Sequence, residues 1–134
     1  MKANVIRFAG YAGLFNLPDA DRDTIRKGAF ADSLRARAEP LPILWQHRPE
    51  QRIGEVERIA EDTRGLRVIG RISSMQSQAA KLLNDGAVSG LSFGYRARQS
   101  RQSPSGRELL DIELFEISVV THPLQHRARI HLIA

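Results

Sequence analysis

The chain has 134 residues, of which 42% are hydrophobic, and it carries a formal net charge of +5. This length and composition predict one domain, residues 1–134, around one hydrophobic core. The absence of cysteine excludes disulfides, thiolate catalysis and cysteine-based zinc sites, and favours a cytoplasmic protein. No apolar run is long enough to span a membrane. The positive charge leaves three explanations open: an acidic protein partner, a nucleic acid, or solubility alone.

Short strands separated by turn residues dominate the pattern. In chain order the sequence predicts strand 5–15, helix 28–37, strand 43–47, strands 52–60 and 66–72 joined as a hairpin, helix 77–84, strand 88–97, strand 108–120, and a last short strand in the tail. Residues 16–23 are expected to form a polar loop, residues 48–50 to turn the chain, and residues 99–107 to form a flexible, exposed loop. This order predicts a mainly β, α+β fold: a small, mostly antiparallel barrel flanked by helices.

One strand places a serine between two glycines. In Gly90-Leu91-Ser92-Phe93-Gly94-Tyr95 the glycines and Ser92 point to one face, and the three bulky side chains point to the other. On the glycine face, only backbone surrounds the Ser92 hydroxyl, so this hydroxyl is expected to be accessible to a peptide or ester. Taken alone, the glycines favour a bulge or a tight packing contact. The five residues match the G-x-S-x-G nucleophile elbow, but no helix follows, so an α/β-hydrolase is not expected.

Two further residues could complete a catalytic site with Ser92. His47 is expected at the end of an apolar strand, where a structural role with one hydrogen bond is the alternative. Glu116 lies on an otherwise apolar strand face, and a buried carboxylate must be paired or hydrogen-bonded. Either a histidine or one of the many arginines could meet it.

These three side chains are the parts of a serine hydrolase. Ser92 would attack a carbonyl, His47 would take and return the proton, and Glu116 would orient the imidazole. The oxyanion would need donors, either backbone N–H groups or an arginine such as Arg127 or Arg129. No cofactor and no metal ion are expected.

The order of the motifs resembles the prohead maturation proteases of tailed phages. Segments that match that family's pattern lie at residues 10–12, 28–34, 44–47, 53–54, 64–66, 90–95 and 114–121. Leu44-Trp45-Gln46-His47 resembles the family's L-W-x-H, and Gly90–Gly94 resembles its G-L-S-x-G. The tail after Thr121 departs from the family's usual T-x-P-A-N.

The resemblance implies a serine endopeptidase with a fold similar to herpesvirus assemblin. It places the catalytic pair on His47 and Ser92. Glu116 is the expected third member, because it follows Ser92 by a spacing similar to that of the third triad residue in the herpesvirus enzymes. That residue is a histidine there, so His122 and His126 compete with Glu116 for the role.

The resemblance also implies partners. The expected substrate is the scaffold segment of the major capsid protein, or a separate scaffold, inside the immature capsid of a phage or gene transfer agent. Weak self-association into a homodimer or larger species is expected. A membrane partner and a specific nucleic-acid ligand are not expected. The main alternative is a non-catalytic capsid-assembly or nucleic-acid-binding barrel, which the arginines between Arg96 and Arg107 would favour. A small-molecule esterase would need an enclosed apolar pocket.

Overall fold

Strands make up most of the computed structural model, which describes residues 5–73 and 78–134. The strands are β1 (Val5–Leu14), β2 (Asp23–Ile25), β3 (Pro42–Trp45), β4 (Arg48–Glu61), β5 (Gly65–Ser73), β6 (Gly90–Ser103), β7 (Gly106–Val120) and β8 (Ile130–Ile133). Two short helices, α1 (Ala31–Ala36) and α2 (Gln78–Asn84), separate them. The predicted second helix began at residue 77, which lies outside the described residues.

The strands form one eight-stranded sheet in the order β2-β7-β3-β4-β5-β1-β8, with β6 paired to β7. Antiparallel pairing predominates; β2 and β3 run parallel to β7. An isolated bridge between Gly90 and Arg129 connects β6 to the segment before β8, and within the described residues no continuous ladder closes the sheet there. The predicted mainly β fold with few helices and a mostly antiparallel sheet is confirmed, and the sheet is unclosed.

Strand β7 is the centre of this arrangement. It pairs along its whole length with β6, and β2 and β3 occupy its other edge. Its apolar side chains Leu109, Ile112 and Ile117 are almost fully buried in the core. Each fully buried leucine or isoleucine stabilises the fold by about 1.5–3 kcal/mol. Residues of β6 and β7 are therefore held in a fixed register.

The turn between β3 and β4 differs from the prediction. The strand was expected to run to His47 and to turn at residues 48–50, but β3 ends at Trp45 and β4 begins at Arg48. Gln46 and His47 form the two-residue turn, with φ of 54° and 61°. Such a pair of left-handed residues is typical of a type I′ hairpin turn, which usually carries Asn-Gly. Because this turn carries Gln-His instead of Asn-Gly, the sequence did not predict a turn at residues 46–47.

The expected flexible loop at residues 99–107 is also wrong, because β6 and β7 extend into it as a hairpin. Arginines on β6 face acids on β7: Arg96 pairs with Glu113 at 2.7 Å, Arg98 with Asp111 at 3.4 Å, and Arg101 with Glu108 at 3.0 Å. Cross-strand charge pairs stabilise a sheet without an apolar pattern. A hydrophobic periodicity could not reveal these strands. The three-residue β2, which begins at the last residue of the predicted polar loop 16–23, was missed because it is too short to show a pattern.

Glu108 makes the stability of this hairpin sensitive to acid. Hydrogen bonds from Arg101 and Arg26 lower the pKa of its carboxyl from 4.5 to about 2. A carboxyl whose pKa is lowered by folding stabilises the folded state above its unfolded-state pKa, and this contribution is lost as pH falls towards the folded value. We expect Glu108→Gln to lower the melting temperature at pH 6 and to approach the wild type as the pH falls to about 2. Thermal melts of both proteins across this range check the prediction, and an equal gap at both pH values would contradict it.

Candidate active site

Ser92 lies near the start of β6, directly opposite Ser118 of β7. Its neighbour Leu91 is fully buried on the other face of the strand, and Phe93 packs edge-on against Phe30 at 5.2 Å between ring centroids. These apolar contacts fix the strand so that Ser92 points away from the main core. Ser92 itself is 8% exposed.

The glycines around Ser92 make room for other parts of the same chain. A Cβ atom on Gly94 would lie 2.7 Å from Cδ of Glu116, which is its cross-strand partner. A Cβ atom on Gly90 would lie 2.5 Å from the carbonyl oxygen of Val120 and 2.8 Å from Pro123 Cδ. The expectation of a bare glycine face is therefore corrected: the tight-packing alternative accounts for both glycines.

His47 and Glu116 are in direct contact. The Nδ1 atom of His47 lies 3.0 Å from Oε2 and 3.1 Å from Oε1 of Glu116. The Glu116 side chain is 10% exposed and that of His47 is 42% exposed. Because a carboxylate only accepts hydrogen bonds, this contact places a proton on Nδ1 and leaves Nε2 as the basic nitrogen in the neutral ring. A histidine, rather than an arginine, meets the Glu116 carboxylate.

Ser118 connects these two residues. Its hydroxyl donates to Glu116, at 2.9 Å from Oε2, and accepts from the backbone N–H of His47 at 3.1 Å. Ser118 is fully buried. It thus holds the carboxylate and the left-handed backbone of His47 together. Ser118 was not among the predicted site residues, although its position two residues after Glu116 on the same strand face indicated that the two side chains lie together.

Gln46 ties the same turn to the end of β7. Its side-chain amide donates to Thr121 Oγ1 at 3.3 Å and accepts from the Thr121 backbone N–H at 3.2 Å. Its own N–H donates to the carbonyl of Val119 at 2.9 Å. These bonds offset the cost of placing two non-glycine residues in left-handed conformations, which is on the order of 1–3 kcal/mol each.

The other two histidines that were considered for the site lie elsewhere. His126 is exposed, with Nδ1 3.3 Å from an Nη atom of Arg129, and His122 is exposed just after β7. In the part of the chain that the structure describes, no hydrogen bond joins either of them to His47, and none joins His47 Nε2 to Ser92 Oγ. Hydrogen bonds to a catalytic nucleophile are often long in the absence of substrate and shorten when it binds.

A loop after β7 flanks Ser92. The backbone N–H of Leu91 donates to the carbonyl of Ala128 at 2.9 Å, and Arg129 bridges to Gly90. Gln125 fixes the loop to the end of β1, because its amide accepts from Leu14 N–H at 2.6 Å and donates to the Leu14 carbonyl at 2.9 Å. The loop that carries both predicted oxyanion arginines thus lies beside the strand of Ser92.

Two further structural findings concern metal ions and membranes. Within residues 5–73 and 78–134, no group of three His, Asp or Glu side chains is arranged to hold a metal ion. In the same residues no helix has the length and apolar character needed to cross a membrane.

Comparison with known proteins points to one family. The sequence model described as Caudovirus prohead serine protease matches residues 1–134. The prohead protease of Enterobacteria phage HK97 is 35% identical over 130 residues, which cover 92% of this chain and 58% of that protein. The capsid polyprotein of Pseudomonas phage PAJU2 is 32% identical over 102 residues, covering 68% of this chain and 15% of the polyprotein.

A solved structure agrees at the level of the fold. The protease of Kaposi's sarcoma-associated herpesvirus, in complex with a hexapeptide phosphonate inhibitor, superposes with a TM-score of 0.65 at 18% identity. The match covers 97% of this chain and 65% of the herpesvirus chain. This chain therefore spans less than two thirds of the length of each of these three relatives. Because the family model matches the whole sequence, the chain belongs to the Caudovirus prohead serine protease family.

Proposed function

We propose that the protein is a serine endopeptidase in which Ser92 is the nucleophile, His47 the general base and Glu116 the residue that orients His47. The observation that carries this proposal is the contact of His47 Nδ1 with Glu116 at 3.0 Å, beside the strand pair that brings Ser92 next to Ser118. An oriented imidazole next to a hydroxyl is the arrangement that activates a serine.

The chemistry follows from these positions. His47 Nε2 takes the proton of Ser92 Oγ as the oxygen attacks the scissile carbonyl carbon, and the imidazolium is stabilised by Glu116. The imidazolium then gives this proton to the leaving amine as the peptide C–N bond breaks, which leaves an acyl group on Ser92. A water molecule, deprotonated by His47, hydrolyses the ester and restores the serine.

Donors for the oxyanion are available in the loop beside Ser92. Arg127 is exposed there, and Arg129 is held by hydrogen bonds from its guanidinium to the His126 carbonyl and to Ser89 Oγ. Backbone N–H groups or one of these guanidinium groups would stabilise the negative charge of the tetrahedral intermediate.

The proposed substrate is the scaffold segment of the major capsid protein, or a separate scaffold protein, cleaved within the immature capsid of a phage or gene transfer agent. The family description and the relationship to a capsid polyprotein support this substrate. The alternative of a nucleic-acid-binding barrel loses its main support, because the arginines at 96, 98, 101 and 107 are paired with carboxylates. Self-association also remains a prediction, which sedimentation velocity at rising protein concentration checks.

Co-expression with the major capsid protein of the same phage or gene transfer agent tests the proposed function. We expect intact-mass measurement to show a capsid protein shortened at its N-terminus with the wild type, and a full-length one with Ser92→Ala or His47→Ala. A capsid protein and scaffold that stay whole with folded wild-type protein in assembled proheads would contradict the proposal.

Ser118 is predicted to act as a positioning residue. Ser118→Ala removes one donor to Glu116 and the acceptor of the His47 N–H, so we expect kcat to fall by about 10- to 100-fold with KM unchanged. The buried groups left without a partner should destabilise the fold by about 1–3 kcal/mol. Steady-state kinetics and thermal melts check this, with the exposed Ser100→Ala on β6 as the control. A loss of stability with unchanged kcat would show a purely structural role.

A further inference from the structure

A cleft lined by arginines lies on the outer side of β1 and β5, apart from the residues of the proposed triad. Its volume is about 470 Å³. Its walls include Tyr11, the side chains of Arg64 and Arg67 from β5 and its preceding turn, and Arg127, Arg129 and His131 from the end of the chain. No aspartate or glutamate is among its described lining residues.

The four arginines of this cleft differ from those of the β6–β7 hairpin in forming no ion pair at contact distance among the described residues, although the Asp62 carboxylate is near enough to interact with the charge of Arg67. None of the ion pairs between described residues involves Arg64, Arg67, Arg127 or Arg129. The guanidinium of Arg129 forms hydrogen bonds with a carbonyl oxygen, a hydroxyl and an imidazole. None of these is a carboxylate that would neutralise its positive charge. One carboxylate is close, that of Asp62, and it accepts from the Tyr11 hydroxyl and from the backbone N–H of Arg64. The cleft therefore carries a large excess of positive charge.

The cleft is adjacent to the proposed nucleophile. Arg129 is the bridge partner of Gly90, two residues before Ser92 on the same strand. Ordinary spacings between paired strands and along a strand place the Arg129 and Ser92 Cα atoms within about 9 Å. An extended peptide covers this distance in about three residues. A polypeptide whose scissile bond is at Ser92 can thus reach the arginines with residues near that bond.

We propose that this arginine cleft binds acidic side chains of the polypeptide substrate, close to the bond that is cleaved. The inference rests on the proposed function, whose substrate it narrows to peptides with aspartate or glutamate clusters beside the cleavage site. Guanidinium groups bind carboxylates through paired N–H donors, and four of them around one concave surface can hold several acids at once.

The contacts of Tyr11 favour a peptide over a nucleic acid. A single strand of nucleic acid is usually held by stacking of its bases on exposed aromatic faces. The Tyr11 ring has the Arg64 guanidinium 5.5 Å from its centroid and the His131 ring at 6.0 Å, tilted by 37°. The Arg64 guanidinium covers one face of the ring, where a base would stack, whereas a carboxylate needs only the guanidinium groups.

Binding of a labelled peptide with eight consecutive glutamates tests the proposal, with an eight-glutamine peptide for comparison. The protein carries Ser92→Ala throughout, so that the result is independent of catalysis. We expect the glutamate peptide to bind, with affinity that falls as salt rises, and Arg64→Gln/Arg67→Gln to weaken binding about tenfold or more. The matched control Arg35→Gln/Lys81→Gln removes the same charge from exposed positions on α1 and α2 and should change the affinity less than twofold.

Equal weakening by both double variants would overturn the proposal, because the effect would then follow net charge alone. Failure of the glutamate peptide to bind would also overturn it. Tighter binding of an oligothymidylate of equal charge, lost with Arg64→Gln/Arg67→Gln, would assign the cleft to nucleic acid instead. In the active protein, the same double variant should raise KM for the capsid substrate and leave kcat unchanged. If the protein binds the acidic peptide but cleaves no substrate, the proposed peptidase function is contradicted, while the proposed role of the cleft in binding acidic side chains is not.

Discussion

Ser92→Ala is expected to abolish cleavage and to leave the fold intact. Removing the nucleophile of a serine peptidase lowers kcat by about 10⁴- to 10⁶-fold, because only substrate binding and oxyanion stabilisation remain. The change deletes one oxygen atom and adds none, so it introduces no steric clash beside Ser118. We expect the free energy of unfolding to change by less than about 1 kcal/mol. Cleavage rate and thermal melts on the same preparation measure both effects.

Ser100→Ala is the matched control, because Ser100 lies on the same strand and is exposed. It should retain full activity. Two results would contradict the assignment of Ser92: residual cleavage within tenfold of the wild type, or a loss of activity that follows a large loss of stability. The second would mean that Ser92 is a packing residue of β6.

Glu116→Gln should lower kcat by about 10²- to 10⁴-fold. Glutamine keeps the volume of the side chain, which fits the space above Gly94, but it neither carries the charge that stabilises the imidazolium nor reliably accepts from Nδ1. The imidazole would then lose its orientation and the wrong nitrogen could face Ser92. Steady-state kinetics of Glu116→Gln, His122→Gln and His126→Gln, measured side by side, separate the three candidates for this role.

The two histidine variants should keep wild-type kcat, since His126 contacts Arg129 and His122 is exposed. A large loss of kcat in either histidine variant, together with a small one in Glu116→Gln, would move the role to that histidine. The contact of Glu116 with His47 would then be structural. Thermal melts of all three variants exclude unfolding as the cause.

The sequence specified the fold where apolar side chains alternate. The strands that build the core, such as β5 and the second half of β7, were predicted within a residue or two at each end. The hairpin extension around residues 99–107 was missed because ion pairs such as Arg101–Glu108 stabilise it and leave no hydrophobic period. The parallel pairing of β2 and β3 with β7 joins segments far apart in the chain, and a local pattern cannot specify such pairing.

The candidate site was accessible to sequence reasoning in its residue types but not in its geometry. A carboxylate on an apolar strand face requires a polar partner. The sequence therefore predicted a partner for Glu116, and the structure shows two, His47 and Ser118. The conformation of His47 depends on the turn at Gln46, on the Ser118 hydroxyl and on the backbone of β7. These contacts exist only in the folded sheet. The glycines of β6 had two possible explanations in the sequence, a face open to substrate or a tight packing contact, and Gly94 fits the second because it accommodates Glu116.

Covalent trapping of the nucleophile tests the central claim most directly. A fluorophosphonate reacts with an activated serine and stays attached, so tandem mass spectrometry of the treated protein identifies the oxygen that His47 activates. Conditions should be those under which the wild type cleaves the capsid protein. We expect one adduct, on Ser92, that is absent from His47→Ala and greatly slowed in Glu116→Gln. An adduct on Ser118 or on another serine, or no adduct while cleavage proceeds, would contradict the account.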